Sequence, residues 1–158
     1  SVAHFGRCFA DFLGNSEGAP HLAALATLEW ARRCAFTAPD EPAAAGAALA
    51  THPRQPEARL RFVQALRVCE LTHDILALWR EEAAVAPAMA TPVAVWRRGF
   101  EVVHAPLGPW EAEALRLARA REPLATVCSA FAAAPEPVPA AFAVLASWFA
   151  DGWVAAVL

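Results

Sequence analysis

The chain contains no lysine; all 13 of its Lys/Arg residues are arginine, and its formal net charge is −3 at pH 7. Sequence-independent binding to nucleic acid rests on phosphate neutralisation and shows as a basic domain or a dense basic stripe, so an acidic chain argues against it. Long apolar runs are missing too. No uninterrupted stretch approaches the roughly 18 residues of a membrane span. Ser1-Val2-Ala3-His4-Phe5-Gly6-Arg7 has no apolar segment followed by a small-residue cleavage site, as a secretory signal would have. The chain opens abruptly on helical sequence, as expected of one with residues upstream, and a soluble cytoplasmic protein is the expectation. Cysteines are few and scattered, at 8, 34, 69 and 128, with no C-x-x-C pair or metal-ligand spacing. They read as reduced thiols that fill space.

The motifs of catalysis are absent as well. There is no G-x-S-x-G, G-x-G-x-x-G, P-loop or H-E-x-x-H. His4, His21, His52, His73 and His104 show no i, i+4 pairing and read as surface or core histidines. The paired carboxylates Glu81-Glu82 and Glu111/Glu113 read as solvated helix residues. No catalytic or metal-binding residue is assigned, and no cofactor is expected in this chain.

What is present is a hairpin. Pro92-Val93-Ala94-Val95-Trp96-Arg97-Arg98-Gly99-Phe100-Glu101-Val102-Val103-His104 alternates β-branched and aromatic residues around an Arg-Gly turn. Pro92 and Pro106 bracket it. A lone hairpin is marginal, so a third strand is required. Between Arg59 and Cys69, Leu60, Phe62, Leu66 and Val68 share one parity while Arg59, Arg61 and Arg67 share the other, which predicts that strand, with Gln64 as the one blemish.

Most of the remainder reads as helix. Phe5, Phe9, Phe12 and Leu13 form a stripe over residues 1–14, and Gly14-Asn15-Ser16-Glu17-Gly18 ends it. The segment from Pro20 to Phe36 is apolar round much of its circumference and is expected deep in a helical layer, with Glu29 pairing Arg32 and Arg33 at a solvated edge. A short helix is predicted over 43–50, before the proline-rich stretch Thr51–Pro56. Thr72 is placed to cap a helix that buries Ile75, Leu78 and Trp79. Residues 83–91 read as a linker. Three C-terminal helices follow: one over 110–121, one over 124–133 burying Leu124, Val127, Cys128 and Phe131, and one ending at Ala150. The last is expected to bury Phe142, Leu145, Trp148 and Phe149, before a final strand over 153–157. The fold class is α+β, mainly α. An N-terminal helical part over 1–56 would precede a winged-helix-like part over 57–158, with a three-stranded sheet of 57–69, 92–97 and 99–105.

Pro20-His21-Leu22-Ala23-Ala24-Leu25-Ala26-Thr27-Leu28-Glu29-Trp30-Ala31, after a phenylalanine-rich helix, resembles the "putative DNA-binding domain" family. That family includes the HvfC- and BufC-type proteins and, more distantly, the methanobactin-biosynthesis partner protein. Ile75-Leu76-Ala77-Leu78-Trp79-Arg80, the hairpin, Leu107-Gly108-Pro109, and Trp148 followed by Asp151-Gly152 continue the likeness in the same order. The chain departs from the family's pattern at Val63-Gln64-Ala65, where a histidine-proline-serine is usual, and at His73-Asp74, where a tyrosine-proline is usual.

The resemblance implies a non-catalytic accessory subunit that pairs with a multinuclear non-haem iron TIM-barrel enzyme; the iron belongs to that partner. The accessory subunit would hold the leader of a ribosomal precursor peptide by strand addition and present its core, often a cysteine, to the iron site. The expected peptide-binding residues are Val93, Ala94, Val95, Trp96, Arg97, Arg98, Phe100 and Val102, with Arg97 and Arg98 available to an acidic leader. Leu22, Trp30 and Arg33 are expected at the interface with the enzyme. The alternative is a winged-helix DNA-binding transcriptional regulator.

Overall fold

The computed structural model describes residues 2–15, 20–80 and 88–158. The architecture is α+β and mainly helical, with antiparallel pairing throughout its strands. The chain divides into two units that are each discontinuous in sequence, 1–37 with 67–106, and 38–66 with 107–158. The N-terminal helices thus share a unit with the hairpin, where sequence alone placed a boundary at residue 56.

In the first unit, α1 (Val2–Gly14) packs on α2 (Pro20–Thr37), and α2 lies across a three-stranded sheet. The strands are β2 (Arg67–His73), β3 (Ala88–Arg98) and β4 (Glu101–Pro106), in the order β2-β3-β4. The composition of α2 explains its two-sided burial. Ala24, Leu28, Ala31 and Ala35 recur at helical spacing and bury against Leu71, Val93 and Val95 of the sheet and Ile75 and Leu76 of the short helix α4 (Ile75–Trp79). Leu22, Leu25, Ala26 and Trp30 lie on another face, towards α1. The alanines keep the helix close to the sheet, and the larger residues are left for α1.

The expected strand from Arg59 to Cys69 is in fact two strands in different sheets. Its first half is β1 (Leu60–Phe62), which pairs with β5 (Val154–Val157) in the second unit, with Leu60 opposite Val157. Its second half begins β2, with Arg67 opposite Val95 and Cys69 opposite Val93. Between them Val63, Ala65 and Leu66 are buried, and the Leu66 N–H donates to the Val63 carbonyl at 3.2 Å.

Three further expectations are corrected. β3 begins at Ala88, so the last part of the presumed linker over 83–91 is strand, and Pro92 lies inside it; residues 81–87, with Glu81 and Glu82, lie outside the described residues. Thr72 belongs to β2, and Asp74 does the capping, its Oδ1 accepting from the Ala77 N–H at 3.1 Å. Trp79 is 43% exposed, not buried.

The second unit also contains α3 (Ala47–Ala50), a 3₁₀ turn (Gln55–Glu57), α5 (Pro109–Arg119), α6 (Leu124–Ser129) and α7 (Pro137–Ala150). Its core is aromatic. Trp148 is fully buried, meets Phe62 edge-on at 5.6 Å and stacks on Trp153 at 6.3 Å. The Trp148 indole N–H donates to Glu111 Oε1 at 3.1 Å, which settles the polar atom of a buried ring. Phe142 was expected in this core but is 74% exposed, because the buried positions of α7 are Ala141 and Trp148.

Candidate functional site: the sheet edges of the first unit

Strand addition needs main-chain groups that no neighbouring strand has taken. Val93, Ala94, Val95 and Trp96 do not offer them on a sheet edge. β3 is the central strand, Val93–Val95 are paired on both sides, and all four residues are buried. The peptide-binding residues expected on β3 are therefore misplaced for this task. Arg97 is also engaged: its Nη1 donates at 2.6 Å to the Phe36 carbonyl in the last turn of α2, where a cation suits the helix dipole. Phe100 is 97% exposed at the turn, and only Val102 of the expected set lies on an edge strand.

The two edges, β2 and β4, differ. The turn has two central residues, Gly99 and Phe100, with Gly99 at φ +60°, the conformation a II′ turn asks of its first central residue. Arg98 and Glu101 then close the hairpin as a hydrogen-bonded pair. Antiparallel alternation turns the main-chain groups of Val102, His104 and Pro106 away from β3. On this side the edge is blocked at two points. Arg32 on α2 donates from Nη1 to the Val102 carbonyl at 3.1 Å, and Pro106 has no N–H to offer.

Arg32 is held in that position by a small cluster. Its Nη1 lies 2.8 Å from His104 Nδ1, and its guanidinium sits 5.0 Å from the Trp79 ring centroid. A guanidinium has no acceptor, so Nδ1 accepts and the neutral imidazole carries its proton on Nε2. Trp79 meets His104 edge-on at 5.5 Å. Burial holds the His104 pKa below the usual histidine value, and the charges of Arg32 and Arg80 add to the effect. Sequence had paired Arg32 with Glu29 along the helix; the structure turns it to the sheet instead.

The same alternation, carried through β3, points the main-chain groups of Val68 and Glu70 out of the sheet on the β2 side. Pro92 stands opposite Glu70, with its nitrogen towards the β4 side and one residue beyond the last β4 partner, so the missing N–H breaks no ladder. Among the described residues, no hydrogen bond from off the sheet closes the Val68 or Glu70 main chain as Arg32 closes Val102. Beside Glu70 and Thr72 lies a groove of about 450 Å³, formed with Ala10, Asp11, Gly14, Asn15, Ala23, Ala24 and Thr27.

The residues expected at a partner interface do come together. Leu22, Trp30 and Arg33 line a second groove of about 620 Å³ between α1 and α2, with Phe9, Leu13 and Leu25. Gly6 permits the close approach there. A Cβ at that position would lie 2.5 Å from Trp30 Cζ3.

Arg61 and Arg67, which share one parity in the sequence, are divided between two sheets. Arg61 pairs with Glu41, whose pKa is lowered by that hydrogen bond, and Arg59 donates to the Arg121 carbonyl, all within the second unit. α7 carries no charged residue at all. Among the cysteines, burial and the nearby Glu70 push the Cys69 thiol up to about 11, and burial also raises that of Cys128, the opposite of nucleophile activation. Among the described residues no group of three or more potential metal ligands occurs, and no helix is long and apolar enough to cross a membrane.

No protein-family model matches the chain, and no curated protein sequence matches it.

Proposed function

We propose that this chain is a non-catalytic accessory subunit of an iron-dependent enzyme that modifies ribosomal peptides, and that it holds the leader of the precursor as an added strand on β2. The observation that carries the reading is the asymmetry of the sheet. β4 is closed at the Val102 carbonyl by Arg32 and ends in Pro106, whereas Val68 and Glu70 of β2 face outward beside a groove. A protein that must avoid edge pairing altogether would protect both edges. Affinity in such a complex comes from main-chain hydrogen bonds, so a site without signature side chains is what this mode predicts. The likeness of the α2 segment and the hairpin to the HvfC- and BufC-type proteins supports the same partner class. On this reading the groove at Leu22, Trp30 and Arg33 receives the TIM-barrel enzyme, and the core of the peptide reaches that enzyme's iron.

Titrating the purified chain with the leader half of a candidate precursor, alone and with the iron enzyme, tests the reading. Saturable binding that Val68→Pro abolishes is the expected result. No binding under either condition overturns it, as does duplex DNA binding that falls steeply with salt.

A further inference from the structure

The open edge carries its own chemical selection, which rests on the strand-addition reading above. Along β2 the side chains alternate between the two faces of the sheet. Cys69 and Leu71 pack towards α2, and Glu70 and Thr72 are exposed. Glu70 is the only charged residue between the two ends of the strand. Arg67, at the start of β2, is opposite Val95 and shares the α2 face with it, so it does not screen Glu70 from the other side. A residue directly opposite Glu70 on an added strand would have its Cβ about 5 Å away, close enough for an ion pair.

The groove next to this edge has the same electrostatic sign. Among the described residues its lining includes two acidic ones, Asp11 and Glu70, and no basic one. Its walls and floor are mostly small, Ala10, Gly14, Ala23, Ala24 and Thr27, which is why the space is left unfilled.

We propose that β2 takes an extended peptide with a lysine or arginine opposite Glu70 and an uncharged side chain, next along its strand, seated in the groove over Ala23 and Ala24. The occupant is thus a basic strand. The acidic leader suggested by Arg97 and Arg98 does not fit this edge, and Arg97 is spent on the end of α2.

Selection from a displayed library of random peptides long enough to span β2, carried out on the whole chain, tests this. The expected result is enrichment of lysine or arginine at one position, flanked by residues of strand-forming type. In the Glu70→Arg variant the same position is expected to turn acidic. For a selected peptide, exchanging the basic residue for its uncharged analogue is expected to weaken binding roughly two- to fivefold.

Selected peptides whose charge preference ignores Glu70→Arg overturn the inference. Val68→Pro separates this from the underlying reading, since it removes one outward N–H and leaves the β2–β3 ladder intact. Binding lost in Val68→Pro without a charge preference defeats only the basic-residue inference. Binding that survives Val68→Pro, or a selection that yields no peptides, defeats strand addition itself. Circular dichroism of each variant confirms that the fold is retained.

Discussion

Arg32 Nη1 lies 3.1 Å from the Val102 carbonyl and 2.8 Å from His104 Nδ1, so one guanidinium on α2 ties down both the edge strand and its histidine. Part-buried hydrogen bonds from a charged donor contribute about 1.5–3 kcal/mol each, and their loss leaves two acceptors without that donor. Arg32→Met keeps the length and apolar stem of the side chain and removes the donors and the charge. It is expected to lower stability by about 2 kcal/mol in chemical denaturation. It also reopens β4, so concentration-dependent self-association, read by size-exclusion chromatography, is expected to increase.

The same contact sets a pH dependence. Folding depresses the His104 pKa, first through burial and then through the charges of Arg32 and Arg80. A histidine depressed by folding takes up its proton more readily in the unfolded chain. Its contribution is therefore complete above the ordinary histidine value and is lost as pH falls from there towards the folded one. The melting temperature is expected to fall between about pH 7.5 and about pH 5, and to fall less in Arg32→Met. Some dependence should remain in that variant, because burial is the larger cause.

The hairpin was legible because each of its determinants is local: alternation of residue type, and a glycine where the turn needs positive φ. The closed and open edges were not. Arg32 reaches Val102 across a separation of 70 residues in sequence, and nothing in the spacing around either residue marks the meeting. The break in the presumed first strand was hidden for a different reason. Val63, Ala65 and Leu66 are buried in the connection between β1 and β2, so it carries none of the Gly, Pro or Asn signals that mark exposed turns, and the apolar parity runs on across it. The apolar face of α2 was visible, but its assignment to two different neighbours depends on the small size of Ala24, Ala31 and Ala35.

Two helices in the second unit end in a left-handed residue, and they differ in what occupies it. Gly152 follows α7 at φ +72°, and Arg121 follows α5 at φ +63°. The Glu122 N–H returns to Leu117 and the Trp153 N–H to Trp148, closing both ends in the same way. An L side chain in this region costs about 1–2 kcal/mol. Gly152→Ala is expected to lower stability by about 1 kcal/mol, through backbone strain alone, because the added Cβ would meet Ala43 at an ordinary 3.6 Å. Arg121→Gly is expected to raise it by about 0.5–1 kcal/mol. Thermal melts of the two variants should move in opposite directions.

On α7, burial separates two aromatic residues that look alike in sequence. Phe142 is 74% exposed, and Trp148 is fully buried between Phe62 and Trp153. Replacing Phe142 with serine removes little packed area, so a change within about 0.5 kcal/mol is expected. Trp148→Phe keeps an aromatic ring, but it removes the indole N–H that donates to Glu111 and leaves a void where the second ring was. The loss of the hydrogen bond and the cavity together are expected to cost about 2–4 kcal/mol. Glu111→Met separates the two contributions, because it removes the acceptor of the Trp148 N–H and leaves the ring packing untouched. A denaturation series in which Phe142→Ser costs as much as Trp148→Phe would mean that α7 buries the other face.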